Sequence, residues 1–359
     1  LGLLAGGYFL GFASMQIPLG YLLDKHGPKK IVSSFLLIAI VGTASFALAQ
    51  SFAGLLISRI LIGVGVSACL MGPLTGYRIW FADEYQQRGN SWMLMIASTG
   101  FVFSTLPVQI LLPIFGWRWV FGGITILIFI VIILILLFIP SWKNETDNNN
   151  EKNFGSLSDI WKNKFFRSTI PLGLFNYGGM IAIQTLWAGP WMVRVAGYNP
   201  LESATGLFWI NTTMLIAFFV WGYILPKITK FGLETMKLMK FGLPISYLFL
   251  LVIIISGENA GAIHFTIYIL TSIVLTLTQP AIALSFPASL AGKSLTSFNL
   301  LIFLGTFIMQ WGIGLVIDMC RFLGKGEIQS FQISFFIYLL ICIFSYLYFI
   351  FNNKNLKNE

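Results

Sequence analysis

The chain has 359 residues, of which 57% are apolar and only 10% carry Asp, Glu, Lys or Arg side chains. Soluble domains carry about 25% charged residues, so this composition excludes a soluble globular protein and predicts an integral membrane protein. The net charge of +9 does not indicate nucleic-acid binding, because the basic residues fall in short loops between apolar runs and form no basic face.

Eleven apolar segments are long enough to cross the hydrocarbon core of a membrane, which takes about 20 helical residues. In chain order they cover residues 1–23, 31–50, 53–80, 90–113, 119–140, 169–194, 203–226, 238–257, 260–286, 295–319 and 331–351. The sequence therefore predicts an all-α integral membrane fold.

The loops between these segments differ strongly in charge. Seventeen of the 22 Lys and Arg residues fall in loops on one side, four fall on the other side, and Arg59 lies within a span. Membrane proteins retain their basic loops on the cytoplasmic side. We therefore expect a cytoplasmic C-terminus, Leu1 on the outside, and a location in the bacterial inner membrane.

A glycine-rich basic loop follows the first segment. It begins at Gly20 with the sequence GYLLDKHGPKK, and a weaker copy, GYILPK, begins 202 residues later at Gly222. Two copies of a helix–basic loop–helix unit predict two homologous halves. At this offset Leu1 matches Ser203, so a helix equivalent to residues 169–202 is expected before Leu1 in a twelve-helix parent.

The predicted halves are an N-terminal bundle, residues 1–140, and a C-terminal bundle, residues 168–359. The cytoplasmic linker between them, residues 141–167, begins polar and becomes amphipathic. Ser156 or Ser158 is expected to cap a short surface-lying helix there. An irregular basic linker is the alternative. The apolar residues of this helix would be Ile160, Trp161, Phe165 and Phe166.

Three stretches carry a family resemblance. The first loop has a Gly, three residues, an Asp, a cation, any residue, a Gly and further cations, filled by Gly20, Asp24, Lys25, Gly27, Lys29 and Lys30. The second stretch begins at Arg59 and has an Arg followed by a Gly four residues later. Gly116-Trp117-Arg118 marks a turn between two spans. Together with the number of spans, these patterns resemble the major facilitator superfamily over the entire chain.

The resemblance implies two pseudo-symmetric six-helix bundles, with eleven of the helices present, and secondary active transport by alternating access. It also implies that Asp24 faces a helix N-terminus near residues 292–295, where a carboxylate meets backbone N–H groups and the positive helix end. Such contacts would hold the cytoplasmic side closed. The alternative is a loop that only sets topology. A basic residue of the loop would pair with an acidic residue. The basic candidates are Lys25, Lys29 and Lys30, and the acidic candidates are Asp83 and Glu84.

Arg59 is the one cation deep within a predicted span, since Arg78, Arg194 and Lys240 lie at the ends of theirs. A buried Arg faces a cavity or a partner. It could bind an anionic substrate, or it could have a structural or proton-linked role in its own bundle. Since the first, fourth, seventh and tenth helices line the cavity in this superfamily, the resemblance implies a set of transport-path residues: Arg59, Asn176, Tyr177, Gln184, Trp187, Thr276 and Gln279. An interfacial belt is the alternative for Trp187, and a bond to its own helix is the alternative for Thr276.

We expect a secondary active transporter of a small polar or anionic organic solute. Efflux of amphipathic compounds is one alternative, although the Gly-rich signature of drug antiporters is missing from residues 90–113. A non-transporting membrane protein with this fold is another. No clustered nucleophile, metal-ligand set or cofactor motif is present, so neither an enzyme nor a metal or cofactor is expected. The expected partners are a small-molecule substrate, the lipid bilayer and, as an option, a coupling proton or ion; we expect no nucleic acid and a monomer.

Overall fold

The computed structural model describes residues 1–141, 157–230 and 235–354 of the chain. The regular elements within these ranges are helices. Before the linker they are α1 (Gly2–Ser14), α2 (Gln16–His26), α3 (Pro28–Leu48), α4 (Phe52–Val66), α5 (Ala68–Trp80), α6 (Asp83–Phe103) and α7 (Leu106–Phe138).

The later helices include several short pieces joined into longer rods. Two π-helical turns, Leu172–Tyr177 and Ile183–Trp187, connect α9 to α10 and α10 to α11, and a 3-10 turn, Ser272–Leu277, connects α14 to α15. The helices are α8 (Leu157–Lys162), α9 (Lys164–Pro171), α10 (Gly178–Ala182), α11 (Ala188–Arg194), α12 (Pro200–Lys230), α13 (Thr235–Ser256), α14 (Ala262–Thr271), α15 (Thr278–Leu284), α16 (Ala288–Phe322) and α17 (Glu327–Lys354).

The chain divides into two compact units. The N-terminal unit contains residues 3–97 and the part of α7 from Leu111 onward. The C-terminal unit contains residues 1–2, residues 98–110 and the described chain from Leu157 onward.

Nine helical stretches in the described ranges are long and apolar enough to cross a membrane, and they correspond to nine of the eleven predicted spans. The all-α membrane fold is thus confirmed. The other two predicted spans, 90–113 and 169–194, are also largely helical. Neither is covered by one long apolar helix. Residues 90–103 belong to α6, which opens with a polar stretch, residues 106–113 belong to α7, and π turns interrupt the helix over residues 164–194.

Small residues bring the helices of the N-terminal unit into close contact. A side chain on Gly63 of α4 would meet the backbone carbonyl of Tyr8 in α1, and one on Gly65 would meet the backbone of Ala39 in α3. A side chain on Gly11 would meet the carbonyl of Ile60. Close packing of this kind holds helices together in lipid, where apolar surface alone gives no drive for association.

Two turns of the N-terminal unit depend on glycine. Gly27 (φ 76°, ψ 159°) joins α2 directly to α3, and Gly116 (φ 73°, ψ 158°) breaks α7. This backbone conformation is essentially restricted to Gly. The predicted turn at Gly116 is confirmed. Beside it, the Arg118 guanidinium stacks over the Trp117 ring, with its central carbon 4.2 Å from the ring centroid.

Two tryptophans anchor the core of the C-terminal unit. Trp191 is fully buried and its indole N–H donates to the carbonyl of Ala260 at 3.1 Å. Trp187 is also buried and donates to the carbonyl of Gln310 at 3.1 Å. Since buried aromatic N–H groups need such acceptors, both rings lie in the protein core and do not face lipid as an interfacial belt would.

The linker region contains two short helices where one surface-lying helix was expected. The break falls at Asn163, whose Oδ1 caps α9 by accepting the Phe166 N–H at 3.0 Å. Ile160 and Phe166 are fully buried in one cluster with side chains of α16. The apolar face therefore packs into the C-terminal unit. The predicted cap Ser156 lies outside the described residues, and Ser158 lies inside α8.

Candidate functional site

The helix over residues 164–194 leaves α-helical geometry at two places. In the first π turn the Gly178 N–H reaches back five residues to the Gly173 carbonyl. The Leu174 carbonyl therefore lacks its usual helical donor. Gly305 of α16 lies against that carbonyl so closely that any side chain on Gly305 would collide with it. Turns of this type recur at functional sites.

Polar side chains of this helix pair with neighbouring helices. Gln184 donates to the Asn211 Oδ1 of α12 at 2.9 Å, and Thr185 accepts from the Gln310 amide of α16 at 3.0 Å. The Gln310 Oε1 is buried and has no hydrogen-bond partner in the described chain. An unsatisfied buried acceptor is open to a ligand donor or to an ordered water.

A second amide pair connects α15 to α16. Gln279 donates to the Asn299 Oδ1 at 2.8 Å. Thr276 instead donates to the Ile273 carbonyl of its own turn at 2.7 Å. Its hydroxyl therefore satisfies local backbone, in agreement with the alternative considered for it.

Tyr177 and Asn176 are neighbours in sequence but lie in different environments. Tyr177 is partly exposed, and its hydroxyl makes no hydrogen bond within the described ranges. Asn176 is 2% exposed, accepts from the Tyr247 hydroxyl at 2.6 Å and donates to the Cys342 carbonyl at 3.3 Å. Of the two, Tyr177 presents an unused polar group. The predicted path role of Asn176, like that of Trp187, stays a prediction, and both side chains are occupied by contacts within their own unit.

Arg59 lies in the N-terminal unit, about 10 Å along α4 from the start of that helix. Its guanidinium carbon is 5.1 Å from the centroid of the Phe46 ring and 5.8 Å from that of Phe121. The Nε is buried without an acceptor, and the side chain forms no ion pair with the described part of the chain. Arg59 is thus a cation held by aromatic rings, with its hydrogen-bonding capacity unused.

The signature loop, residues 20–30, is described only in part. The side chains of Asp24 and Asp83 lie outside the described residues, so their predicted pairing stays a prediction. Lys25 is exposed and lies over the Tyr21 ring, with its Nζ 5.7 Å from the centroid. Gly20 does not serve close helix packing, because no atom of the described chain lies within 4 Å of a Cβ placed there.

These features fit one known family. The sequence profile of the Major Facilitator Superfamily matches residues 1–310, which is most of the chain. The chain belongs to this superfamily. The superfamily and the fold that the signature loop predicted are therefore confirmed.

Solved structures of superfamily transporters share this fold. The bacterial homologue of the human lysosomal transporter Spinster, in an inward-facing occupied state, has a TM-score of 0.78 and 15% identity, covering 98% of this chain and 88% of its own. The Escherichia coli fucose:proton symporter FucP has a TM-score of 0.67 and 16% identity, covering 98% and 90%. At this level of identity the likeness establishes the fold alone.

Relatives within the superfamily carry diverse names. An uncharacterized transporter of Buchnera aphidicola subsp. Schizaphis graminum is 27% identical over 49% of this chain and 45% of its own length. A siderochrome iron transporter of Gibberella zeae is 24% identical, over 60% and 36%. A probable sulfoacetate transporter of Cupriavidus necator is 22% identical, over 55% and 50%. The matches span half or less of the length of these three relatives.

Several side chains that form buried hydrogen bonds near the predicted site residues were not predicted from the sequence. Asn211, which accepts from Gln184, and the tyrosines Tyr247, Tyr268 and Tyr338 were not among the predicted site residues. A signal was present, since a Tyr in the middle of an apolar span needs a hydrogen-bond partner. Which helix supplies that partner depends on packing, and the sequence does not encode it locally.

Proposed function

We propose that the chain is a secondary transporter of a small organic anion, which it moves across the inner membrane by alternating access. Arg59 carries this proposal. It is a cation within a membrane span, and it has neither an ion pair nor a hydrogen bond in the described chain. Such a group is costly unless it serves a substrate or a partner. A carboxylate, sulfonate or phosphate would supply the missing acceptors.

The C-terminal unit supports a polar rather than an amphipathic substrate. Three of its candidate path side chains offer polar groups: Gln184 and Gln279, each in an amide pair, and Tyr177, whose hydroxyl makes no hydrogen bond in the described chain. Groups of this kind orient a polar solute through hydrogen bonds. Efflux of a lipophilic cation would instead be opposed by the positive charge of Arg59.

The proposal is tested by uptake into proteoliposomes. The labelled probes are sulfoacetate, gluconate and glycerol 3-phosphate as anions, L-fucose as a neutral polar solute, and tetraphenylphosphonium as a lipophilic cation. We expect at least one anion to enter faster than into protein-free vesicles, with little movement of the cation. Imposing a pH gradient on the same vesicles shows whether a proton is coupled.

Substitutions at Arg59 connect this transport to the site. We expect Arg59→Gln to reduce anion uptake at least about tenfold, since charge-assisted hydrogen bonds contribute about 1.5–3 kcal/mol. Arg59→Lys should be intermediate, because Lys keeps the charge but not the planar fork of donors. The matched control is Arg118→Gln, an exposed Arg that donates to the Ala49 carbonyl. Transport of fucose or of the lipophilic cation alone, unaffected by Arg59→Gln, would contradict the proposal.

A further inference from the structure

We propose that Asn176 is a positioning residue. It locks the π turn Leu172–Tyr177 in register and thereby keeps Tyr177 partly exposed at the edge of the core of the C-terminal unit. What the Tyr177 hydroxyl contacts during transport rests on the proposed function above. The lock itself does not, because it is built from side chains of the C-terminal unit alone.

The Asn176 amide links the π turn to two other helices. Its Oδ1 accepts from the Tyr247 hydroxyl of α13 at 2.6 Å, and its Nδ2 donates to the Cys342 carbonyl of α17 at 3.3 Å. Both partners are buried. Rotating Asn176 out of this position would leave the buried Tyr247 hydroxyl without its acceptor, which is costly.

Neighbouring helices also contact the backbone that the π turn displaces. The thiol of Cys342 lies 3.8 Å from the Phe175 carbonyl, at the point where the turn departs from α-geometry. Gly178 and Gly305 meet backbone to backbone, and a Cβ on Gly178 would lie 2.7 Å from the Gly305 carbonyl carbon. These contacts fit the π register, and they involve residues on both sides of Asn176.

The surroundings of α10 fix the same register. A side chain on Gly179 would collide with the Tyr338 ring, so this helix face admits only Gly. The Tyr338 hydroxyl is in turn 3.1 Å from that of Tyr268. The Tyr338 ring is therefore itself held in place by a hydrogen bond, and only the glycine face of α10 can pack against it.

Release of the lock would turn the following segment. A π turn contains one residue more than an α-turn, so its collapse rotates the next residues by about 100°. Tyr177 would then turn toward the core. The buried Met180 would turn toward the side of the helix on which Tyr177 now lies. The second π turn, Ile183–Trp187, can absorb the change and confine it to the segment between them.

Cysteine labelling tests this without any substrate. Tyr177→Cys and Met180→Cys are made separately in a background with Cys69→Ala and Cys320→Ala; Cys342 is buried and is kept. Purified protein in detergent is labelled with a methanethiosulfonate reagent. We expect Asn176→Ala to slow labelling at position 177 about tenfold and to accelerate it at position 180, as loss of a buried hydrogen-bond pair allows. Tyr247→Phe should shift both rates in the same directions by a smaller factor.

Ser334→Ala is the matched control. Its hydroxyl is as buried as Asn176 and donates to the Ile313 carbonyl at 3.0 Å, but it does not touch the π turn. Both labelling rates should stay at the parental values. Unchanged rates in Asn176→Ala and Tyr247→Phe would overturn the lock, and so would an equal shift in Ser334→Ala. If Asn176→Ala does not fold, Tyr247→Phe decides the question alone.

Transport is measured separately on the same variants. With an anion that the parental protein moves, Asn176→Ala should lower the maximal uptake rate more than the apparent affinity, since a misaimed Tyr177 reduces productive complexes. Shifted labelling rates in a protein that moves none of the anions would leave the lock standing and remove the proposed substrate class. Unshifted labelling in a protein that transports an anion normally would overturn the lock and leave the proposed substrate class standing.

Discussion

At the scale of single residues, Arg59 shows how a cation is kept within a membrane span. Rings of Phe46 and Phe121 lie within 6 Å of its guanidinium carbon. Cation–π contacts of this kind contribute about 0.5–2 kcal/mol, depending on desolvation. They stabilise the charge without using its N–H donors, so the donors stay available for an anion.

The Gln184–Asn211 pair is expected to contribute to stability as a coupled unit. Removing one amide leaves the other without its partner, so Gln184→Ala and Asn211→Ala should each lower the free energy of unfolding by about 1 kcal/mol. The double variant should cost less than the sum of the two. A double-mutant cycle from denaturant unfolding in detergent measures this coupling.

The control cycle combines Gln184→Ala with Asn299→Ala. Asn299 bonds to Gln279 and not to Gln184, and the two sites share no partner. Their effects should add. Additive behaviour in the Gln184–Asn211 cycle would show that this hydrogen bond contributes nothing to the folded state.

Sequence reasoning at this scale identified polar residues better than their environments. Tyr177, Gln184 and Gln279 were recognised because polar groups in apolar spans stand out. Asn176 stood out for the same reason, yet its side chain is buried and bonds to Tyr247 and Cys342. Those two partners lie far away in sequence, so the spacing of polar residues does not reveal them.

Among the secondary-structure elements, contact between the π turn Leu172–Tyr177 and α16 depends on Gly305. A methyl group there would collide with the Leu174 carbonyl. Gly305→Ala should therefore destabilise the protein by about 1–3 kcal/mol, as overpacking does. The decrease in melting temperature in detergent measures it.

Gly312 of the same helix provides the matched comparison. No atom of the described chain lies within 4 Å of a Cβ placed on it. Ala at a helix interior is favoured over Gly by about 0.5–1 kcal/mol, so Gly312→Ala should be neutral or slightly stabilising. Equal melting temperatures for the Gly305 and Gly312 variants would show that α16 can move away from the π turn at little cost.

The break in α7 is expected to require Gly116. Its backbone has φ 73° and ψ 158°, which residues with a Cβ adopt at a cost of about 1–3 kcal/mol. Gly116→Ala should lower the melting temperature, whereas Gly122→Ala, in the helical part of α7 with open space around it, should not. Equal effects of the two substitutions would contradict this assignment of strain.

Helices as elements were largely readable from the sequence, because lipid enforces long apolar runs with internally satisfied backbones. The turn at Gly116 was expected because Gly116-Trp117-Arg118 resembles a turn that is usual in the superfamily. The π and 3-10 turns were not. They depend on contacts such as that of Gly305 with Leu174, which join residues far apart in sequence. The break between α8 and α9 was not predicted for the same reason, since the apolar side chains on either side of it pack against α16.

For the whole molecule, composition alone established the membrane class, and the signature loop indicated the superfamily to which the chain belongs. The substrate is harder to predict from the sequence. The named relatives include siderochrome and sulfoacetate transporters, and they match along half or less of their own length. One fold serves many solutes, so the solute must be inferred from groups such as Arg59 and not from the architecture.

Membrane sidedness is the last expectation and is set by the whole chain. The distribution of basic loops places Lys162 in the cytoplasm and Lys325 outside. Both side chains are exposed. In the background with Cys69→Ala and Cys320→Ala, a membrane-impermeant thiol reagent added to intact cells should label Lys325→Cys and not Lys162→Cys. Permeabilised cells should label both, which controls for reactivity. Labelling of Lys162→Cys alone in intact cells would invert the topology, and the basic loop at Lys25 would then lie on the outer surface, where it could not act as a cytoplasmic gate.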